Sequence, residues 1–383
     1  MDAPIPQPPV EEAARALPLL LQSTIEVGAS DLLLHEGRRP QMRLRGSLIS
    51  LDAPTVVGHV IEELRSACGA PPEVTDYDGA FITPQGQRFR VNIFRALGRS
   101  GAVLRRIRTE IPNLDSLGVP AHILRGWAGA RSGMIIVCGP AGSGKTTTLA
   151  ALLGWMNITD VRHVVTVEDP VEFLFTDGKC LFTQREVGTD TPSFAEGLRR
   201  GLRQSPDVIF VGEIRDRETA ETALRASETG HLVLATLHSP SVLSALERME
   251  TFFSSDDRDG VRRTLASQLI GILCQRLLPS KKGGLALAFE FSGNSGAVRE
   301  WISLGRRAEI ADAIARGDGV DALPLMTSLV GLVSDGLVDV DVASAVCDSP
   351  HDLQRALKGI HNAQAGHRRP PPFPINPAHA RTR

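Results

Sequence analysis

Residues 133–146 read GMIIVCGPAGSGKT, and the rest of the chain is best understood outward from them. MIIVC is a short apolar run of the kind that forms a strand buried on both faces. Residues 139–146, GPAGSGKT, fit the pattern G-x-x-x-x-G-K-[ST]. TTTLAALLGWM follows and reads as a helix from Thr146. A chance glycine-rich turn would lack the strand before it and the helix after it. In this order the three parts form a phosphate cradle. Glycines let backbone N–H groups turn inward around a β-phosphate, and the helix N-terminus adds partial positive charge. The residues offered are Gly139, Pro140, Ala141, Gly142, Ser143, Gly144, Lys145, Thr146 and Thr147. Lys145 is expected to reach the β- and γ-phosphates, and Thr146 to place its hydroxyl on Mg²⁺. ATP with Mg²⁺ is therefore the expected ligand.

Beyond the cradle, short apolar strands alternate with helical segments. HVVTVEDP (163–170) is followed by a helix around PSFAEGLRRGLRQ (192–204). DVIFVGE (207–213), a helix over 216–229 and HLVLATLH (231–238) come next. That alternation predicts an α/β class with a largely parallel sheet. Ligands of such sheets bind beyond the carboxyl ends of the strands. Glu213 stands at such an end, where P-loop folds usually carry an aspartate that holds Mg²⁺ through water. Glu168 ends HVVTV, and a carboxylate there can polarise an attacking water. Asp169 is a second candidate, and a turn or helix cap before Pro170 is the alternative for this acidic pair. Arg215 and Asp216 read as a structural pair or a helix cap, with Gly230 stopping the helix.

His231 and His238 bracket the apolar run LVLATL. Along an extended strand their backbones lie ~23 Å apart. One metal with ligand distances near ~2 Å cannot hold both. His238 follows the carboxyl end of the strand, on the side of Lys145 and Glu168. It is a candidate γ-phosphate sensor, its imidazole N–H donating to a phosphate oxygen; a structural hydrogen bond is the alternative. His231 begins the strand at the opposite end, where packing or a subunit interface is its expected role.

At 383 residues the chain has room for two or three domains. With 42% hydrophobic and 22% charged residues it can bury a core, and a net charge of −2 provides no basic field for nucleic acid. One tyrosine and three tryptophans leave no aromatic-plus-basic stripe for single strands. The five cysteines form no CxxC pair, so they are expected as buried thiols. The N-terminus lacks a signal-peptide pattern, and no apolar run reaches the ~20 residues of a membrane span. The expected location is the cytoplasm, with membrane association only through partners.

The flanks complete the plan. Residues 1–10 carry four prolines and read as a loose arm. Residues 11–108 read as a small α+β domain on an antiparallel sheet. It comprises a helix in EEAARALPLLLQSTIEVG and strands in DLLLHEG, QMRLRGSLISL, QRFRVNIF and AVLRRIR. Residues 109–120 read as a linker and 121–285 as the nucleotide-binding core. After about residue 260 the chain reads as mostly helical, with a helical region over 286–362. Residues 363–383 read as a disordered basic, Pro-rich tail.

GPAGSGKT, TVEDPVEF, SPDVIFVGEIRD and TGHLVLATLH, in this order, resemble the Walker A, Asp box, Walker B and His box of the type II/type IV secretion ATPases. GASDLLLHEG, FRVNIF, AVLRRIR, KCLFTQREVGTDTPSF and GLVDVDVASAVCDSPHDLQRAL resemble the PilT-type twitching-motility branch. The resemblance spans roughly residues 14–357. It implies a hexameric ring whose subunits have a PAS-like N-terminal domain and a RecA-like ATPase domain. It further implies that ATP hydrolysis moves the domains against an inner-membrane platform protein, removing pilins from a type IV pilus. Catalytic roles then fall on Glu168, Glu213 and His238, and on Arg90 and Arg105, which match positions that reach the nucleotide from the N-terminal domain. Arg99 and Arg106 are their close competitors. The retraction branch carries a helix reading AIRNLIRE. Here AVREWISL (297–304) keeps Ala297, Arg299 and Ile302 but has Ser303 and Leu304 in place of Arg-Glu. That departure bears on retraction and not on hydrolysis. It keeps an accessory motor, or a motor for assembly or secretion, as the alternative. A nucleic-acid translocase and a non-hydrolysing scaffold are the readings of other classes.

Overall fold

The computed structural model describes residues 16–44, 47–107, 110–294, 296–317 and 321–364. The expected arm and nearly all of the tail lie outside the described residues. The chain divides into two compact units, Met1–Glu110 with Glu172–Leu174, and Ile111–Val171 with Phe175–Arg383.

In the first unit, alternating apolar residues build a six-stranded antiparallel sheet. Its strands are β1 (Asp31–His35), β2 (Gln41–Leu44), β3 (Ser47–Ser50), β4 (Tyr77–Ile82), β5 (Arg88–Ala96) and β6 (Arg99–Arg106). Their order is β3-β2-β1-β6-β5-β4. Leu32, Leu34, Phe89, Val91, Ile93, Ala102 and Leu104 share one face, as the two-residue period requires. Two helices cover that face, α1 (Ala16–Glu26) through Leu17 and Leu21, and α2 (Gly58–Ala67) through Val60, Ile61 and Leu64. Pro18 is tolerated because it falls in the first turn of α1, where a backbone N–H has no intrahelical partner.

The second unit carries an eight-stranded sheet. Its strands are β7 (Gly133–Cys138), β8 (His163–Glu168), β9 (Leu181–Glu186), β10 (Val208–Val211), β11 (Leu232–Leu237), β12 (Leu269–Pro279), β13 (Leu285–Gly293) and β14 (Ala322–Leu323). The order is β14-β13-β12-β7-β11-β10-β8-β9, parallel from β12 through β9 and antiparallel at β13 and β14. This is the expected α/β class. Every residue of β7 and of β11 is buried, so both strands read as unbroken apolar runs. Helices α3 (Ala121–Ala128) and α4 (Lys145–Thr159) cover one face with Ile135 and Val137. On the other face, Met134, Ile136 and Cys138 meet α5 (Phe194–Gly201), α6 (Arg217–Glu228), α7 (Val242–Thr251) and α8 (Arg258–Gln268).

The passage after residue 260 corrects one expectation. Helix α8 ends at Gln268, and LIGILCQRLLP and LALAFEFSG are then long strands rather than helices. A short apolar run fits a buried helix and a buried strand equally well. What decides is the second side of β7, which needs hydrogen-bond partners and receives them from β12. Gly283 and Gly284, both at positive φ, turn the chain into β13. Five helices follow in the expected helical region: α9 (Gly296–Leu304), α10 (Arg307–Arg316), α11 (Leu325–Ser334), α12 (Val340–Ser344) and α13 (Pro350–Gln364). The last three pack Leu329, Ala343 and Leu353 on Leu278 and Ala288 of the β12–β13 pair.

Gly271 of β12 shows how closely α3 lies on this sheet. A Cβ there would sit 2.3, 2.5 and 2.6 Å from three ring atoms of Trp127. Gly271→Ala is expected to destabilise the chain by about 1–3 kcal/mol through overpacking. A Trp127→Leu background should recover part of that cost, read as non-additive urea midpoints of the two single variants and the double variant.

Candidate nucleotide site

Strand β7 ends in a turn with no room for a side chain. Gly139 has φ of 145°, and a Cβ there would lie 2.3 Å from the Gln275 carbonyl oxygen of β12 and 2.5 Å from Ser143 Oγ. Gly144, at φ of 87°, closes the turn as the N-cap of α4. The helix N-terminus thereby follows the loop directly, with no side-chain cap at Gly144. Lys145 is only 7% exposed, and its Nζ donates to the carbonyls of Gly139 at 3.0 Å and Pro140 at 2.9 Å. Ser143 is 2% exposed, and its hydroxyl has no hydrogen-bond partner among the described residues. Beneath the loop, Gln275 Nε2 donates to Thr148 Oγ1 at 2.8 Å, and both are buried. A glycine turn, an unpaired buried hydroxyl, a lysine and a helix N-terminus suit a phosphate-sized anion. Thr146 and Thr147 open α4 directly after Lys145.

A cavity of about 430 Å³ adjoins the loop. Pro140–Ser143, His238, Arg276 and Val346 line it. The Arg276 guanidinium donates to the carbonyls of Pro240 at 3.0 Å and Val346 at 2.6 Å. The segment between α12 and α13 thus forms part of the pocket wall. Sequence reasoning missed Gln275, Arg276 and Val346. The available signal was a Gln-Arg pair inside the apolar run LIGILCQRLLP.

The acids come together at adjacent strand ends. Val211 of β10 pairs with Val167 of β8, so Glu168 and Glu213 leave neighbouring strands on the same side. Glu168 is 3% exposed and accepts from Thr166 Oγ1 at 2.7 Å and Gln184 Nε2 at 3.4 Å. Glu213 accepts from Arg215 Nε at 2.8 Å, and His238 Nε2 lies 3.4 Å from its other oxygen. Arg215 also reaches Asp169, Nη1 to Oδ2, at 3.2 Å. The hydrogen bond to Glu213, with Asp169 nearby, holds the Arg215 guanidinium above its usual range and therefore charged. Asp216 caps α6 by accepting from the Thr219 N–H at 2.8 Å. The Arg215 pairing and the Asp216 cap are both present.

The two histidines separate as their spacing requires. His238 lines the cavity directly after β11, whereas His231 precedes that strand at its other end. His231 Nδ1 lies 3.0 Å from the Ala226 carbonyl and 3.2 Å from Thr229 Oγ1, near the end of α6. No group of three or more His, Cys, Asp or Glu able to hold a metal occurs among the described residues. Mg²⁺ held by one hydroxyl, phosphate oxygens and waters requires no such group.

Arg90 and Arg105 stand in the first unit, opposite each other on β5 and β6. The row continues to Asp31 of β1 and Arg43 of β2. Asp31 is 4% exposed and accepts from Arg105 Nε at 2.8 Å, and Arg43 Nε lies 3.8 Å from it. Arg90 Nη2 lies 3.7 Å from Asp78. Arg106 donates to Gln87 and to the Ile25 carbonyl.

The type II/IV secretion system protein family matches residues 80–293. The type IV pilus retraction ATPase PilT of Pseudomonas aeruginosa is 35% identical over 340 residues, covering 87% of this chain and 98% of its own length. The type IV pilus ATPase PilU of the same organism is 35% identical over 359 residues, covering 91% and 93%. The crystal structure of the pilus retraction motor PilT with bound ADP aligns with a TM-score of 0.82 at 36% identity, covering 89% of this chain and 99% of that one. The second unit is accordingly a RecA-like ATPase domain, preceded by a small α+β domain. The chain belongs to the type II/IV secretion system protein family and is a homologue of the pilus retraction ATPase PilT.

Proposed function

We propose that this chain is an ATP-hydrolysing motor that drives retraction of a type IV pilus. One observation carries the reading: the phosphate cradle, Glu168, and the Glu213–His238–Arg215 cluster share one side of one sheet. Backbone N–H groups of the 139–147 loop, Pro140 excepted, hold the phosphates. Lys145 exchanges the Gly139 and Pro140 carbonyls for β- and γ-phosphate oxygens. Thr146, and Glu213 through water, would hold Mg²⁺, which when bound would supply positive charge beside the phosphates. Glu168, buried and oriented by Thr166, polarises the attacking water. His238 donates to the γ-phosphate and returns to Glu213 once that group has left. Arg90 and Arg105 supply the additional cations that transition-state charge demands, within a homohexameric ring.

The mechanical role rests on the relatives. PilT is a retraction motor, and the likeness to it covers nearly its full length. The partner is then an inner-membrane platform protein, met from the cytoplasm. Among the described residues no helix is long and apolar enough to cross a membrane. The second reading, an accessory motor or one for assembly or secretion, is favoured by two observations. The likeness to PilU covers 91% of this chain, and α9 buries Ile302 while presenting Ser303 and an exposed Leu304 where retraction motors carry Arg-Glu.

Lys145→Ala should abolish steady-state phosphate release. Glu168→Gln keeps an acceptor for Thr166, so nucleotide binding should persist while turnover falls by about 10²–10⁴-fold. Phosphate release from Glu168→Gln at the wild-type rate would remove Glu168 from the mechanism. In cells, retraction predicts excess persistent surface pili in the deletion strain, uncorrected by Lys145→Ala. Loss of pili would point to assembly, and unchanged pili beside a second retraction motor to the accessory role.

A further inference from the structure

The hairpin joining β5 to β6 turns through two residues, Leu97 and Gly98, between the paired Ala96 and Arg99. Both central residues have positive φ, 52° and 76°. That is the signature of the type I′ turn, which suits the strand twist and selects Asn-Gly. Leucine is a poor choice there, because its Cβ crowds the backbone at positive φ. Leu97 is also 100% exposed, so no packing within the chain offsets the strain. A residue unfavourable in both backbone and solvation points to contact with another molecule.

The surroundings indicate the chemistry of that molecule. Beside the tip lies a hollow of about 390 Å³, lined among others by His35, Phe94, Ala96 and Leu97, with Arg38 and Arg99 also on its wall. The His35 and Phe94 rings meet edge-on, 5.6 Å between centroids. The guanidinium groups of Arg38 and Arg99 have no acidic partner among the described residues. Glu36, the acid of the hollow, accepts from the Ser100 backbone N–H at 3.0 Å and so ties the hairpin to the loop after β1. The result is a hollow walled by Phe94, Ala96 and an exposed leucine, with two arginines, Arg38 and Arg99, that lack an acidic partner. Arginine and aromatic residues, here Arg99 with Phe94, are enriched at protein interfaces.

We propose that this hairpin tip docks an acidic, aliphatic segment of a partner polypeptide. Carboxylates would pair with Arg38 and Arg99, and an aliphatic side chain would enter the hollow against Phe94 and Leu97. A flat anionic lipid surface would meet Leu97 and the arginines but leave the hollow unfilled. The inference uses the first unit alone and stands apart from the ATPase reading.

The test uses the full chain, a fluorescent peptide alternating glutamate and leucine, a lysine–leucine control, and phosphatidylglycerol vesicles. Saturable, salt-sensitive binding of the acidic peptide is expected, with none of the control. Leu97→Asn and the pair Arg38→Ala/Arg99→Ala should each weaken it about tenfold or more. Leu97→Asn suits the turn, so its melting temperature should hold or rise while binding is lost, and phosphate release should be unchanged. Equal peptide affinity in wild type and variants, or no binding up to millimolar peptide, overturns the proposal. So does vesicle binding that the variants lose while the peptide fails to bind.

Discussion

The site depends on one steric constraint at the end of β7. That strand is hydrogen-bonded on both sides, by β11 and β12, and covered on both faces. Where it ends, the Gln275 carbonyl of β12 approaches so closely that only glycine fits at position 139. The chain must then turn through glycines into α4, whose N-terminus follows the loop directly. The Ser143 hydroxyl is buried without a partner among the described residues, and the Lys145 ammonium donates to loop carbonyls. Burying a hydroxyl unpaired costs about 1–3 kcal/mol, a cost that an anion in the loop would relieve. The geometry of this loop is thus a consequence of how the central strand is packed.

The same parallel register gathers the remaining groups. Neighbouring strands that run in one direction end on one side, so Glu168, Glu213 and His238 converge although the sequence separates them widely. Arg215 then links Asp169 and Glu213 and offsets part of their charge. Arg276 extends this neighbourhood to the last helices by holding Val346 at the cavity wall. The helical region is therefore attached to the pocket by a charge-assisted hydrogen bond as well as by the apolar contacts of Leu278 and Ala288.

Legibility varied with the strength of local pattern. The cradle was readable because strand, glycine loop and helix are contiguous. The separation of His231 and His238 to opposite ends of β11 followed from strand length alone. By contrast, β12 and β13 were read as helical because an apolar run without alternation has no diagnostic period. Helix α2 and strand β4 were not anticipated. YDGAFI holds a glycine in its centre and alternates weakly in burial, and GHVIEELRSA is short with a narrow apolar stripe. The row Arg43–Asp31–Arg105–Arg90 could not be seen either, since it exists only across four paired strands.

The sequence by itself determined the α/β class, the strand–glycine loop–helix unit, and which acids and histidine close apolar strands. Each of these is a property of a few consecutive residues. Only the tertiary structure decided that residues 269–293 complete the sheet, that Arg215 links two acids, and that Arg276 brings Val346 to the pocket. It also decided that Leu97 stands exposed in a strained turn beside Arg38 and Arg99. These are pairings between distant segments, set by which edges and faces remain unsatisfied once the local elements have formed. Local pattern carries no record of them.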